Sequence, residues 1–268
     1  RFHFASRENG VKPIIGSEIT MEDGSLLPLI PIDLSGYRNL CRLITKVKLR
    51  SPKGEHFATR RDIEDYSKGI ICLTGGSDGF IHKSISRGDG LKDLAWLNYV
   101  FENRLYVELQ RHYLKAEEDV NQDLLGLAHK MHLPVIASNG AYYADRKDRE
   151  LYDVFTCIKN RTTIYHAGKL LSANAERYLK DQRAMLRLFE EMPETVERTQ
   201  EIADRIVFSM DDVGYTFPDY PVPAGETPDS LLRSLSEKGA IERYGELTPK
   251  VKAKLDHELA LIAKLKLA

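Results

Sequence analysis

The chain has 268 residues, enough for one large domain, or one domain and part of another, around a sizeable core. Hydrophobic residues make up 42% and charged residues 29%, which excludes a disordered or collagenous chain, and no apolar run approaches the roughly 20 residues that cross a bilayer. A net charge of −1, from 39 basic and 40 acidic residues, argues against a general polyanion binder, and the scattered Cys41, Cys72 and Cys157 suit a reducing cytoplasm with neither a disulfide framework nor a zinc site.

Residues 1–8 read as the end of a helix running into the stop Asn9-Gly10, with no signal-peptide pattern. At the other end Leu255, Leu259, Ile262 and Leu265 carry a helical stripe to the last residues. Both ends look cut, and an internal fragment of a longer protein is expected. Between them, 12–20 and 26–32 predict strands, and Tyr37, Leu40, Ile44 and Val47 predict a helix over 36–49. Thr59 offers a cap for a short helix through Tyr66. A buried strand at 69–74, a helix at 91–102, a strand at 104–109, a helix at 117–131, a strand at 133–137 and a helix at 145–159 follow. This alternation argues for an α/β fold with a parallel sheet or barrel. Helices at 181–191 and 193–205 precede FPDYPVPAGETP at 217–228, which holds four of the eleven prolines and reads as an extended linker. Thr227-Pro228 and Thr248-Pro249 then open two helices. The composition shift places a boundary near 212–226.

Chemistry in such folds sits at strand ends. The candidates there are Glu18, Glu108, His112 and Asn139, with a single histidine among them, a thin set for the several ligands of a multinuclear metal site. His129 and His132 flank a helix end without a nearby carboxylate. Gly75-Gly76-Ser77-Asp78-Gly79 fits neither phosphate-loop motif and reads as a tight turn. Between Arg38 and Arg61 eight Lys or Arg stand against one acid, Glu55; Arg38, Arg42 and Lys46, at i, i+4 spacing, form a basic stripe that would suit a nucleic-acid backbone or a solvated face.

The ordered strings KPIIGSEIT, GYRNLCRLITKV, CLTGG, YVELQRH, LPVIASN, AERYLK and FPDYPVP resemble, across about 11–268, the bacterial C-family DNA polymerases, the alpha subunits of polymerase III, and look closest to the error-prone branch. The resemblance implies a PHP domain, a distorted (β/α)7 barrel lacking its first unit, over 1–212. It further implies a proline-rich linker over 213–226 and the mainly helical start of the palm and thumb region over 227–268. Family members open with an HxH motif and a DHDG-like motif, which would lie upstream of Arg1. Glu18 matches the glutamate of the family's GxE motif. The histidine that opens the next strand falls at Leu26, the cysteine after the following strand at Gly76, and the aspartate and histidine of NDxHY at Gly140 and Tyr142. Four of these five positions cannot serve as good ligands, so no metal is expected in the cleft.

The parent enzyme implied by the resemblance is a DNA-directed DNA polymerase. It would act on a primer-template and dNTPs with Mg²⁺ held by palm aspartates beyond this chain, in replication and damage-associated repair, alongside other replication or mutagenesis proteins. This segment is then a structural domain with no cofactor and no catalytic residue of its own. Two alternatives stand beside that reading. One is a PHP domain that retains metal-dependent 3′–5′ exonuclease or phosphoesterase activity through Glu18, Glu108 and His112. The other is a non-catalytic module that binds DNA or protein through the 38–61 stripe or the 217–228 linker.

Overall fold

The computed structural model describes residues 1–52, 54–214 and 220–268. Lys53, counted in the basic cluster, and 215–219, inside the proline-rich stretch, lie outside the described residues. The chain divides into two compact units, Arg1–Val213 and Gly214–Ala268.

In the first unit the chain runs α1 (Phe2–Glu8), β1 (Ser17–Thr20), β2 (Leu26–Pro31), α2 (Leu34–Arg50), α3 (Arg60–Tyr66), β3 (Ile70–Leu73), α4 (Phe80–Ser86), α5 (Gly90–Phe101), β4 (Leu105–Gln110), α6 (Lys115–Met131) and β5 (Val135–Ser138). It continues through α7 (Arg149–Lys159), α8 (Ile164–Ala167), α9 (Gln182–Leu188) and α10 (Glu194–Arg205). The second unit holds α11 (Pro228–Tyr244) and α12 (Pro249–Leu265). Thr227 and Thr248 each accept a backbone N–H at the start of these two helices, and Arg233 of α11 meets Asp256 of α12 at 2.5 Å. None of the described helices is long and apolar enough to cross a membrane.

The α/β class expected from the sequence is the one the chain adopts. The strands form a five-stranded sheet in the order β1-β2-β3-β4-β5. The expected parallel arrangement covers β3, β4 and β5 only; β1–β2 and β2–β3 are antiparallel. The turn from Met21 to Ser25 explains the first of these joins, because so short a link closes a hairpin and leaves no room for a crossover helix.

The strand expected over 12–20 begins only at Ser17. Pro13 has no N–H to give to a ladder. Lys12 instead donates to the carbonyls of Ala203 and Ile206, at 2.6 Å each, and ties this stretch to the end of α10.

Period-two alternation gives the sheet two apolar faces. Leu27, Leu29, Ile70, Cys72, Leu105, Val107, Leu109, Val135 and Ala137 join the core that also contains Leu40, Leu43 and Val47 of α2, Leu94 and Leu97 of α5, and Leu124 and Ala128 of α6. Ile71, Tyr106 and Ile136 point the other way, onto Ile202, Ile206 and Phe208. Along that second face β4 continues from Tyr106 to Glu108 and Gln110, so its apolar character gives way to polar groups at the carboxyl end of the strand. That change of character positions the site.

Four of the eight residues of the basic cluster are ion-paired. Lys46 lies 3.1 Å from Asp62 and 3.3 Å from Asp65, Arg50 2.8 Å from Asp62, Arg61 3.1 Å from Asp65 and Arg60 2.5 Å from Asp93. Asp62 and Asp65 fall just beyond the 38–61 window in sequence, and Asp93 comes back onto it from α5. Asp62 is almost fully buried and completes a capping box with Thr59. Burial pushes its carboxyl up, but the Thr59 N–H and hydroxyl, with Lys46 and Arg50, outweigh this and hold it at about 2. A folded-state value below the ordinary one stabilises above the ordinary value and is lost as pH falls through the depressed one. The displacement from 3.8 to about 2 corresponds to on the order of 2 kcal/mol at neutral pH. Urea melts are expected to show Asp62→Asn less stable by about that amount at pH 7, with the gap closing as pH falls from about 4 towards 2; a gap that stayed constant would contradict the assignment.

Candidate functional site

A cleft opens at the carboxyl ends of the parallel strands, where ligands bind in open α/β sheets. It is lined by Glu18 from β1, Leu26 and Pro28 from β2, the loop 75–79 after β3, Gln110 at the end of β4, Gly140 and Tyr142 after β5, and Arg177. All five positions carried over from the resemblance, Glu18, Leu26, Gly76, Gly140 and Tyr142, therefore meet in one place, although they span most of the first unit in sequence. The antiparallel register sets Glu18 opposite Pro28, which puts the carboxylate and the Leu26–Pro28 side of β2 on the same face.

The open volume is only about 40 Å³, close to the share of one or two water molecules at about 30 Å³ each. Two side chains fill the rest. The Gln110 amide donates to Glu108 Oε1 at 2.9 Å and to Ser138 Oγ at 3.3 Å. Its oxygen accepts from Arg177 Nη1 at 3.3 Å. The same nitrogen reaches the Gly140 carbonyl at 3.5 Å, and Nη2 reaches Ser77 Oγ at 3.3 Å. The guanidinium carbon stands 4.9 Å from the centre of the Tyr142 ring.

Glu18 sits exposed on the rim. Loss of water on its cleft side pushes its carboxyl above the usual range, and the neighbouring Glu108 and Asp78 add to the effect. Among the described residues no group of three or more His, Cys, Asp or Glu is arranged to hold a metal ion. Of the four other cleft positions, Leu26 and the two glycines bring no donor atom, and Tyr142 presents its ring to Arg177. The residues present do not fit the metal centre of the family.

Glu108, His112 and Asn139, expected as cleft residues, lie behind it, with their polar atoms committed to the scaffold. Glu108 accepts from Gln110 and Ser138. His112 is 1% exposed, with Nδ1 2.7 Å from Glu117 Oε1 and Nε2 2.8 Å from the Asn139 carbonyl. Asn139 Nδ2 donates to the carbonyls of Glu176 and Tyr178, at 3.1 and 2.6 Å, and Lys180 Nζ donates to Asn139 Oδ1 at 3.0 Å. His112 and Asn139, with Glu117 behind the histidine, clamp a strap of chain, 172–181, across the strand ends. His132 closes α6 in the left-handed conformation, a capping role. A larger groove of about 700 Å³ runs between α6 and the start of α10, and none of the carried-over positions reaches it.

Gln110 and Arg177 fill the cleft and stand outside the sequence-based site candidates. Gln110 shares a strand face with Glu108 by period two, a signal that was available. Arg177, in AERYLK, had none, because its partners lie 37 to 100 residues away. Of the basic stripe, Arg38 and Arg42 are exposed and make no ion pair among the described residues, whereas Lys46 is held by Asp62 and Asp65.

Residues 1–112 match the PHP domain family. The chain is 36% identical over 265 residues to the error-prone DNA polymerase of Pseudomonas syringae pv. syringae, covering 98% of this chain and 25% of that protein. It is 35% identical over 263 residues to the error-prone DNA polymerase of Pseudomonas aeruginosa, and 34% identical over 266 residues to that of Caulobacter vibrioides, with 97% of this chain and 24% of the relative covered in each case. The chain spans about a quarter of the length of the curated relatives it matches. Its first 112 residues thus carry the PHP-domain pattern, and nearly all of the chain is similar to the corresponding quarter of the bacterial error-prone DNA polymerases.

Proposed function

We propose that this chain supplies the PHP portion of an error-prone DNA-directed DNA polymerase of the C family, and that its cleft is a structural element with no metal. Residues 1–212 form that domain, 213–226 the linker and 227–268 the start of the palm and thumb region. The whole enzyme, in the cytoplasm, adds dNTPs to a primer-template during replication and damage-associated repair, with Mg²⁺ at palm aspartates outside these residues. Similarity along 98% of the chain supports the polymerase assignment.

One observation carries the structural reading of the cleft. The five positions where the family places ligands converge, yet they bring one carboxylate, and Gln110 and Arg177 take up the space. Hydrolysis of a phosphodiester at a PHP cleft needs cations to hold the phosphate and lower the pKa of the attacking water. Gel assays with labelled primer are expected to show no degradation by the chain in Mg²⁺, Mn²⁺ or Zn²⁺. Degradation that Glu18→Ala abolishes would overturn the proposal in favour of a retained exonuclease.

A further inference from the structure

The cleft is short of ligands, but it is not short of a cation. We propose that the Arg177 guanidinium is its resident positive charge, standing where the family places metal ions, and that the Gln110 side chain fills the room of their missing ligands. This deepens the metal-free reading above and rests on it.

The glycines show that the change is a coupled one. A Cβ built on Gly76 would lie 2.3, 2.5 and 2.6 Å from the oxygen, carbon and nitrogen of the Gln110 amide. A Cβ on Gly140 would lie 2.7 Å from Gln110 Oε1 and 2.9 Å from both Arg177 Nη1 and Gln110 Nε2. Neither the family's cysteine at the first position nor its aspartate at the second can coexist with Gln110 and Arg177 as they stand. Gly140 also has φ +48, a conformation costly for any other residue except Asn or Asp.

The surroundings suit a guanidinium better than a metal ion. A divalent ion calls for deprotonated, anionic or imidazole donors. Arginine stays charged, forks its N–H groups onto neutral oxygens and stacks on aromatic faces. Here the fork reaches an amide oxygen, a backbone carbonyl and a hydroxyl, with the Tyr142 ring against its plane. Those partners come from the loop after β3, the end of β4 and the loop after β5, so one side chain joins three strand ends as a bound metal would.

Arg177 is itself held in place from both sides. Its carbonyl accepts the Tyr142 N–H at 2.8 Å, Asn139 grips the carbonyls of Glu176 and Tyr178, and Asn174 Nδ2 donates to the His112 carbonyl at 2.6 Å.

The test is thermal melting of the whole chain, with Arg177→Ala and Arg177→Met beside the wild type. Methionine keeps an apolar stem of similar reach and serves if the alanine variant does not fold. Both variants are expected to melt at least about 3 °C below wild type. About 20 mM methylguanidinium is expected to restore at least half of that loss, while equal sodium chloride and about 1 mM Mn²⁺ restore none. The proposal is overturned if either folded variant melts within about 1 °C of wild type, or if methylguanidinium recovers no more than sodium does. A wild-type chain that itself gains stability from micromolar Mn²⁺ or Zn²⁺ would instead sink the metal-free reading on which the inference rests.

Discussion

Gly36→Ala is expected to cost more than about 4 kcal/mol and to lower the melting temperature by roughly 10 °C or more. Gly36 lies in the first turn of α2, where the helix crosses the entry to β3. A Cβ there would sit 1.9 Å from the Gly69 carbonyl oxygen and 2.7 Å from its carbon. The obstacle is backbone and cannot rotate away. The Gly69 oxygen already accepts the Ile32 N–H at 2.9 Å, and Gly69 holds φ +74, so neither partner can retreat without breaking the join of β2 and β3. Against a total stability of about 5–15 kcal/mol, such a loss leaves little folded protein in a marginal domain. Gly126→Ala, on the exposed surface of α6 with nothing within 4 Å of its Cβ, is the matched control and is expected to gain about 0.5–1 kcal/mol. Equal melting temperatures for the two variants would refute the packing argument.

The second large effect concerns His112. Removing its ring leaves the nearly buried Glu117 carboxylate without the imidazole and deprives the Asn139 carbonyl of its partner. Glu117 would keep the His112 N–H at 2.6 Å, but one bond does not offset the desolvation of a carboxylate. His112→Ala is therefore expected to lose about 3 kcal/mol or more in urea unfolding, and to expose the strap at 172–181 to limited proteolysis. This outcome separates the scaffold role from a catalytic one. A catalytic histidine could be truncated with stability intact and a nuclease activity lost; a structural one shows the reverse.

The sequence made much of this legible. Element positions followed from periodicity and capping residues, and the short apolar runs at 69–74 and 104–109 read as strands, which the fold buries on both faces through Cys72 and Val107 on one side and Ile71 and Tyr106 on the other. The segment 12–16 was misread because its β-branched residues signal a strand while Lys12 is engaged elsewhere. The ion pairs of the basic cluster were not legible because the acids that meet Lys46, Arg50, Arg60 and Arg61, namely Asp62, Asp65 and Asp93, lie outside the basic window and return only through the fold. The place of the cleft was legible through Glu18, Leu26, Gly76, Gly140 and Tyr142. What fills it was not. An arginine in an irregular strap carries no motif, a glutamine at a strand end offers only its period-two neighbours, and the space they occupy is visible only as the absence of side chains at Gly76 and Gly140.

That filling also changes the meaning of the missing ligands. Their absence alone would leave an empty cleft. Gln110, Arg177 and the clamp formed by His112, Asn139 and Glu117 turn it into a packed junction that holds the strand ends together. The most direct measurement is the metal content of the purified chain by mass spectrometry of the elements, with Glu18→Ala alongside. The metal-free account predicts no stoichiometric zinc, manganese or iron in either protein. One or more ions per wild-type chain, lost in the Glu18 variant, would contradict it.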